Sequence, residues 1–220
     1  DHDEIRKWLS ILIAPGSSLG GARPKANILD TDKSLWIAKF PSKSDTIDKA
    51  AWEYLAYKLA IQAGIDMAPF KIEKIMGPHN TFFTKRFDRE NGERIHFASA
   101  MTMTGNNEET IKDNHPSYLE IAEFISNYGV TIEENLHQLW RRIVFFVMVS
   151  NMDDHLRNHG FLYERYNGWK LSPAYDMNPT PIDISPRVLT MAIDLTDTNA
   201  SLETAMCVAK EFRLHKKQAL

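Results

Sequence analysis

The chain has 220 residues, of which 43% are hydrophobic and 25% charged, an ordinary composition for a globular protein with one large or two small domains. Its net charge of −3 and isoelectric point near 6.3 carry no signature of nucleic-acid binding, so we expect no direct contact with nucleic acid. A single cysteine, Cys207, excludes an internal disulfide framework and favours a cytoplasmic location. There is no signal peptide and no apolar run of about 18 residues, so we expect no membrane segment. The chain begins without a methionine and stops within a basic helical pattern, which we interpret as a fragment or excised domain of a longer protein.

The first predicted elements are a helix over residues 2–14, a small-residue loop over residues 16–25 and a hairpin of two strands, residues 26–29 and 35–40. Glycines before a strand let backbone N–H groups approach a phosphate closely, and Lys25 and Lys39 add positive charge. The loop is not a Walker A sequence and no helix follows it. A flexible surface turn is an equal alternative for this segment taken alone.

A predicted helix over residues 46–63 carries Glu53 in its first half. Lys39 lies in an apolar strand, where a lysine is costly unless it is paired. A strand lysine followed by a helical glutamate is typical of protein kinases, in which the glutamate orients the lysine on the nucleotide phosphates. The alternative is that Glu53 is simply a solvated carboxylate on the helix surface.

Further strands over residues 70–75 and 81–87 complete a mostly antiparallel sheet of about five strands, which together with the helix matches the small lobe of a kinase. Residues 84–89 form the exit from this lobe, where adenine normally bonds to linker backbone. Residues 91–114 are polar and irregular, and we predict a linker there.

The remaining predicted elements are helices over residues 118–128 and 132–149, a strand over residues 188–193 and a helix over residues 202–210. The second of these helices is apolar nearly all round late in its course, which indicates a buried core helix. We therefore predict an α+β, two-lobed protein-kinase-like fold. Its small antiparallel-sheet lobe covers residues 1–90, and its larger, mainly helical lobe covers residues 91–220.

The most informative stretch is residues 151–179, NMDDHLRNHGFLYERYNGWKLSPAYDMNP. Two strand-like segments, residues 160–163 and 169–171, form a hairpin that returns its ends to nearly the same point. Asp153, Asn158 and Asp176 should therefore converge. An Asp, an Asn five residues later and an Asp after a hairpin form the protein-kinase arrangement of base, metal-binding amide and metal-binding carboxylate. Such oxygen ligands suit Mg²⁺. The alternative, polar loops that merely cap helices, becomes weak when both clusters occur in this order.

With these features in place, the sequence resembles the HipA family of bacterial serine/threonine kinases, the toxins of toxin–antitoxin modules that arrest growth. The resemblance rests on residues 18–25 (SLGGARPK), 38–41 (AKFP), 85–89 (KRFDR), 151–161 (NMDDHLRNHGF) and 171–179 (LSPAYDMNP). These segments span most of the chain in the family's order, and the last two are highly specific.

The resemblance implies a kinase-like fold that uses ATP and Mg²⁺. Asp153 is then the catalytic base, Asn158 and Asp176 are the metal ligands, Lys39 binds phosphate and His155 matches the family's catalytic-loop histidine. The resemblance implies four further groups of nucleotide-binding positions. Gly20, Gly21, Ala22, Arg23, Pro24 and Lys25 cover the phosphates, and Glu53 pairs with Lys39. Lys85, Arg86 and Phe87 surround adenine, and Leu156, Arg157 and Tyr175 lie beside the metal ligands.

Ser18 matches an inhibitory autophosphorylation site that the family carries in its Gly-rich loop, and Ser17 is the lesser candidate. A phosphate on Ser18 would add about −1.5 to −2 charges near Arg23 and Lys25, and we expect it to move the loop away from ATP. The alternative is that the Ser18 hydroxyl only caps a turn.

The resemblance also implies partners, namely a protein substrate of the aminoacyl-tRNA synthetase class and a DNA-binding antitoxin. Two departures from the family bear on these surfaces. The extra N-terminal subdomain of family members is absent, either cut away or present as a separate chain, and the C-terminal helices look truncated after Leu220.

A serine/threonine protein kinase is the favoured interpretation. A small-molecule kinase on the same fold is an alternative, because fold does not fix substrate. A nucleotide-binding regulator without useful turnover, acting through an antitoxin partner, is a second alternative, although a purely structural role needs none of Lys39, Asp153, Asn158 and Asp176.

Overall fold

The structure, a computed structural model, describes residues 23–75, 77–113, 115–180 and 187–219. The chain divides into two compact units. Unit 1 consists of the described residues within Asp1–Leu55 and Ala68–Glu93, and unit 2 of those within Ala56–Met67 and Arg94–Leu220. The predicted helix over residues 2–14 lies outside the described residues, and the predicted domain boundary after residue 90 stays a prediction.

Unit 1 is built on an antiparallel sheet of β1 (Lys25–Leu29), β2 (Leu35–Lys39), β3 (Phe70–Glu73) and β4 (Thr81–Lys85), in the order β1-β2-β4-β3. Its core cluster consists of Ala26, Ala38, Phe40 and Phe83, with Ile28 and Trp36 packed against it. The four strands that were predicted individually are all present. Among the described residues no fifth strand joins this sheet, so the predicted number of about five is reduced to four.

The helix α1 (Lys49–Gln62) follows β2 and begins three residues later than predicted. Asp48 sets this start because its carboxylate accepts a hydrogen bond from the Ala51 N–H at 3.0 Å, as an N-cap does. Burial opposes ionisation of Asp48, but its bonds from Ala51 and Asn80 outweigh burial and lower its pKa. Gly64, with a φ of 74°, supplies the left-handed residue after the helix. Residues 49–55 of α1 belong to unit 1 and residues 56–62 to unit 2.

The segment after unit 1's sheet contains short elements, and all but the first of them lie where a linker was predicted. They are β5 (Arg89–Glu90), β6 (Glu93–Arg94), β7 (Phe97–Ser99), α2 (Ala100–Met103) and α3 (Thr110–Asp113). The prediction of an irregular linker over residues 91–114 is therefore wrong for its described residues. These elements are too short to show a hydrophobic period, and they are held instead by local caps and pairing. The Ser99 hydroxyl, for example, accepts from the Thr102 N–H at 3.3 Å and caps α2.

Two long helices form the centre of unit 2, α4 (Tyr118–Tyr128) and α5 (Ile132–Val149), with the bounds that were predicted. A capping box starts α4: the Ser117 hydroxyl accepts from the Leu119 N–H at 3.0 Å, and the Glu120 carboxylate accepts from the Ser117 N–H at 2.9 Å. The apolar face of α5 is fully buried and supplies much of the core of unit 2. Its members include Leu136, Leu139, Ile143 and Phe146.

The predicted hairpin is confirmed as β8 (Gly160–Glu164) and β9 (Gly168–Leu171), which pair antiparallel with Phe161 opposite Leu171 and Glu164 opposite Gly168. β7 pairs with the other edge of β8, which gives the order β7-β8-β9. Gly168 has a φ of 129°, and a Cβ atom there would lie 2.8 Å from the Tyr128 carbonyl oxygen. Glycine is therefore required at this position in the turn.

The strand predicted over residues 188–193 is wrong. Val188 and Ala192 take part only in isolated bridges, to Asn199 and Ser117. Residues 188–191 alternate between exposed and buried as a strand does, and residues 191–193 are all buried. Their backbone N–H groups nevertheless bond to separate segments, such as Thr198, Met152 and Pro116, and not to one neighbouring strand. The chain then forms α6 (Leu202–Val208), a 3₁₀ turn at Ala209–Phe212 and α7 (Lys216–Ala219). None of the described helices combines the length and the apolar character needed to cross a bilayer.

Candidate active site

The loop that carries Asp153 begins where α5 ends. Ser150 follows the helix in the left-handed conformation, with a φ of 58°, and turns the chain out of the helical path. The Thr180 N–H donates to the Ser150 carbonyl at 2.8 Å, and the Asn178 N–H donates to the Asn151 side chain at 3.1 Å. The loop after α5 is thus bonded to the segment that follows β9. These bonds bring the backbones of the two segments that carry the predicted acidic residues side by side.

Asp153 and Asn158 are held within one tight loop. The Asn158 side-chain amide donates to the Asp153 carbonyl at 3.2 Å, and the Asn158 N–H donates to the His155 carbonyl at 2.8 Å. Asn158 is buried, whereas Asp153 is exposed. Because the Asn158 NH₂ group is bonded to backbone, its carbonyl oxygen is directed the other way as an acceptor. The loop therefore presents one exposed carboxylate and one fixed amide oxygen.

Asp176 is brought to this loop by its neighbour in sequence. The Tyr175 hydroxyl donates to the Arg157 carbonyl at 2.7 Å, which links the segment after β9 to the residue before Asn158. Asp176 itself has a φ of 59°, and its N–H donates to the Tyr57 hydroxyl at 3.1 Å. A left-handed non-glycine residue is uncommon and often marks a functional position.

The donor chemistry of these residues fits Mg²⁺. Asn158 supplies an amide oxygen and Asp176 a carboxylate, whereas the described residues contain no group of three His, Cys, Asp or Glu side chains placed for a softer metal. Mg²⁺ prefers oxygen ligands and commonly uses one or two protein groups, completing its shell with water and substrate phosphate. Asn158 and Asp176 are accordingly the side chains that would hold it.

Beneath this loop lies a buried polar cluster that the sequence analysis did not find. Asp154 accepts hydrogen bonds from the Tyr118 hydroxyl at 2.6 Å, and its same oxygen lies 2.7 Å from His159 Nε2. All three side chains are almost fully buried. Burial, reinforced by the Asp154 carboxylate, raises the pKa of Tyr118 well above its usual value. The cluster ties the residue after Asp153 to α4 and to the start of β8.

Arg142 is a second buried polar group on α5, and its guanidinium donates to the Ser172 carbonyl at 2.6 Å. Burial lowers its pKa to about 10, although the charges of Asp66, Tyr175 and Asp154 oppose that shift. Desolvation raises the pKa of Tyr175, with Arg142 opposing it. Arg142 thus fixes the strand end that leads to Tyr175 and Asp176.

The other predicted residues of this loop have distinct surroundings. His155 is half-buried, and its Nδ1 has no hydrogen-bond partner among the described residues. Leu156 is buried in the core of unit 2. Arg157 is exposed and forms an ion pair with Glu108.

Unit 1 contains the predicted lysine–glutamate pair. Lys39 Nζ lies 2.5 Å from Glu53 Oε1, and both side chains are largely buried. Lys39 also lies over the Phe82 ring, with its Nζ 5.8 Å from the ring centroid. Lys25 stands directly opposite Lys39 in the β1–β2 register, and residues paired in this way project from the same face of a sheet. Lys25 and Lys39 therefore lie on one face of the sheet, with the Glu53 carboxylate beside Lys39.

The loop before β1 is described only in part. Arg23 forms an ion pair with Asp45, and the Pro24 carbonyl accepts from the Phe40 N–H at 2.9 Å. The other predicted loop positions lie outside the described residues; they are Ser17, Ser18, Gly20, Gly21 and Ala22.

The predicted adenine segment is tied into unit 1. The Lys85 N–H donates to the Pro69 carbonyl and the Arg86 N–H to the Leu35 carbonyl, both at 2.8 Å. The Arg86 guanidinium is bonded to Asp88 through two nitrogens, at 2.8 and 2.7 Å. Burial opposes ionisation of Asp88, but Arg86 and Arg89 together outweigh burial and lower the pKa of Asp88. Of residues 85–87, the first two therefore already use their N–H groups within the unit.

Comparison with known proteins gives concordant results. The family model described as "HipA-like C-terminal domain" matches residues 17–219. A Haemophilus influenzae protein named "Putative kinase" is 26% identical over 189 residues, which cover 78% of this chain and 54% of that protein. The chain thus spans about half the length of this curated relative.

Two solved structures show the same fold. Shewanella oneidensis HipA, solved with HipB and its operator DNA, has a TM-score of 0.74 at 18% identity, covering 100% of this chain and 60% of that one. The Helicobacter pylori proinflammatory kinase CtkA has a TM-score of 0.66 at 16% identity, covering 91% of this chain and 79% of that one. The predicted α+β, protein-kinase-like fold class is confirmed, and the chain belongs to the HipA-like C-terminal domain family.

Proposed function

We propose that this chain is the catalytic part of an ATP- and Mg²⁺-dependent serine/threonine protein kinase. One observation carries the proposal: within unit 2, the Tyr175 hydroxyl bonds to the Arg157 carbonyl and so holds the Asp176 segment against the Asp153–Asn158 loop. Family membership and the kinase names of its relatives support the same reaction class.

In the proposed reaction, the acceptor hydroxyl oxygen of the protein substrate attacks the γ-phosphorus of ATP. A new P–O bond forms to that oxygen while the bond from the γ-phosphorus to the β–γ bridging oxygen breaks, and ADP leaves. Asp153 orients the hydroxyl and accepts its proton. The exposure of Asp153 supports this role, because an acceptor must reach its carboxylate from solvent.

Asn158 and Asp176 would hold Mg²⁺, which when bound neutralises charge on the phosphate oxygens. Both residues are held in place, which supports this assignment. The Asn158 NH₂ group is bonded to the backbone, and the left-handed backbone of Asp176 is bonded to the Tyr57 hydroxyl. Preorganised ligands need little rearrangement when they bind.

Lys39 is proposed to bind the nucleotide phosphates and Lys25 to add charge on the same face of the sheet, with Glu53 holding the Lys39 ammonium in place. Residues 20–25 would cover the phosphates. Residues 85–87 would contact adenine through groups other than the N–H groups of Lys85 and Arg86.

Three further features come from the family alone and are proposed in the same way. Autophosphorylation of Ser18, or of Ser17, would switch the enzyme off. The protein substrate would be of the aminoacyl-tRNA synthetase class, in the cytoplasm. Because the Shewanella HipA structure contains HipB and operator DNA, we also expect a DNA-binding antitoxin as a partner of this protein.

Labelled ATP tests the proposal directly. The protein is incubated with γ-labelled ATP, Mg²⁺ and phosphatase-treated cell lysate, and the labelled acceptor band is identified by mass spectrometry. Asp153→Asn should reduce labelling by about 10²–10⁴-fold, the usual contribution of a general base. Glu164→Gln, which alters an exposed carboxylate at the end of β8, is the matched control and should label normally. Labelling by Asp153→Asn at the control's rate would refute the assignment of the base.

A further inference from the structure

Unit 2 contains a cavity of about 380 Å³ beside the Asp153 loop. One wall consists of residues 155–157, the second of residues 188–190, and the third includes Met101 and Ile111. Residues 155–157 belong to the predicted nucleotide-binding set, but no role has been assigned to the other two walls.

The second wall is anchored to the loop that carries Asp153. The Thr190 N–H and the Thr190 hydroxyl both donate to the Met152 carbonyl, at 3.1 and 3.0 Å. Met152 directly precedes Asp153 in the chain. Two hydrogen bonds to one carbonyl therefore fix this wall immediately beside the proposed base. An acceptor hydroxyl that reaches Asp153 brings its neighbouring groups up to the cavity.

The cavity is predominantly apolar. Met101, Leu156 and Leu189 are buried in its walls, and Val188 stands at its rim with 40% of its surface exposed. Its polar lining residues are His115, His155, Arg157 and Thr190. No carboxylate is among the described residues that line it, and the charge of Arg157 is matched by Glu108. An apolar side chain fits the apolar part of these walls.

The length of an extended peptide segment also matches the separation between Asp153 and the cavity. Residues 155–157 follow Asp153 by two to four positions, and each residue of an extended peptide adds about 3.3 Å. This wall of the cavity is therefore at most about 14 Å from Asp153 along the chain. A side chain three residues from the acceptor serine or threonine lies about 10 Å from it, which is a comparable reach. The volume is near the lower end of the range for ligand pockets, which suits one large side chain with adjacent backbone.

We propose that this cavity receives a single apolar side chain, that of Leu, Ile, Met or Phe, located within three residues of the phosphorylated serine or threonine in a protein substrate. The inference rests on the proposed kinase function and specifies the substrate class: an extended protein segment with an apolar residue beside its acceptor.

The test uses an arrayed peptide library with a central serine, in which each flanking position is varied in turn, together with γ-labelled ATP and Mg²⁺. The measured quantity is the ratio of kcat/KM for the best apolar-flanked peptide to that for the same peptide with alanine at that position. Burial of one large apolar side chain should make this ratio about 10 or more for the unmodified protein. The ratio compares two peptides on one protein, so it does not depend on how much of a variant is folded.

Val188→Asp places a carboxylate at the rim and should lower the ratio to about 1. Leu195→Asp is the matched control, since Leu195 is 75% exposed and is not among the cavity's lining residues; it should keep the ratio near 10. In a second measurement, a photoactivatable benzophenone side chain at the selected peptide position should crosslink to Met101, Ile111 or Val188.

The possible failures are distinguishable. Phosphorylated peptides without apolar selection, a ratio that Val188→Asp leaves unchanged, or crosslinks elsewhere would overturn the cavity's role and leave phosphoryl transfer intact. ATP turnover without labelling of any apolar-flanked peptide would do the same. An unmodified protein that neither turns over ATP nor labels any peptide would overturn the proposed function, and the inference with it.

Discussion

Tyr118→Phe removes one hydroxyl from the buried cluster beneath the Asp153 loop and leaves the ring in place. That hydroxyl donates to Asp154 at 2.6 Å, and the other Asp154 oxygen has no partner among the described residues. The variant therefore leaves the carboxylate with only its contact to His159 Nε2. A hydrogen bond to a charged group contributes roughly 1.5–3 kcal/mol, so we expect the free energy of unfolding to fall by that amount at neutral pH. The melting temperature should fall by about 3–12 °C.

The difference in free energy of unfolding between the wild-type protein and Tyr118→Phe should be smaller in alkaline solution. Burial raises the pKa of Tyr118 in the folded protein, so the stability it contributes is fully present below the unfolded pKa of about 10 and is lost as pH rises above it. At pH 11 ionisation favours the unfolded wild-type chain by about 1.4 kcal/mol, a term that the phenylalanine variant lacks. The deficit of Tyr118→Phe should therefore be smaller at pH 11 than at pH 8 by that amount.

Urea denaturation of both proteins at pH 8 and pH 11 measures these differences. Tyr128→Phe is the matched control, because Tyr128 lies on the same helix and is 62% exposed; it should change stability by less than about 0.5 kcal/mol. Titration of Arg142 and other buried groups is common to all the proteins and cancels in the comparison. A Tyr118→Phe deficit no larger than that of Tyr128→Phe, or one that does not depend on pH, would refute this account of the cluster.

Three further predictions concern the two units. Asp176→Asn should abolish Mg²⁺-dependent ATP turnover while the circular dichroism spectrum stays unchanged; turnover at the wild-type rate would contradict the metal assignment. Lys39→Ala should lower ATP turnover by roughly 10³-fold or more, because charge stabilisation dominates phosphoryl transfer. Lys71→Ala, on the same sheet, is the control and should keep the wild-type rate. Equal turnover rates for the two variants would show that Lys39 is not part of the site. Gly168→Ala should cost about 1–3 kcal/mol in urea denaturation, since it strains a φ of 129° and approaches the Tyr128 carbonyl. A cost below 0.5 kcal/mol would mean that the turn relaxes.

The helices of unit 2 could be predicted from the sequence because their signals are local and repeated. The α4 helix has a capping box at Ser117 and Glu120, and α5 carries a sustained apolar stripe. The segment over residues 188–193 misled the prediction because a short apolar run has the same appearance in a strand and in a buried irregular loop. Its backbone bonds go to scattered partners such as Thr198 and Met152, which no local pattern specifies.

Some residues of the candidate site could likewise be predicted from local sequence, and others could not. The positions of Asp153, Asn158 and Asp176 follow from a fixed spacing and a hairpin, and the pair of Lys39 with Glu53 follows from the cost of a lone buried lysine. The Asp154 cluster could not be predicted, because Tyr118 lies 36 residues away and reaches Asp154 only through the packing of α4. Arg142 was hidden for the same reason: a charged residue in an apolar helix indicates a buried partner but does not identify it.

The β8–β9 hairpin also affects how this protein can be altered and compared. Antiparallel strands grow or shrink in matched pairs of residues, which moves the tip of the hairpin and leaves its base unchanged. Homologues can therefore differ in the number of residues between Asn158 and Asp176 without any change in the separation of the two side chains. The tip at residues 165–167, where Tyr166 is 84% exposed, is accordingly a suitable insertion point for a fluorescent label or an affinity tag.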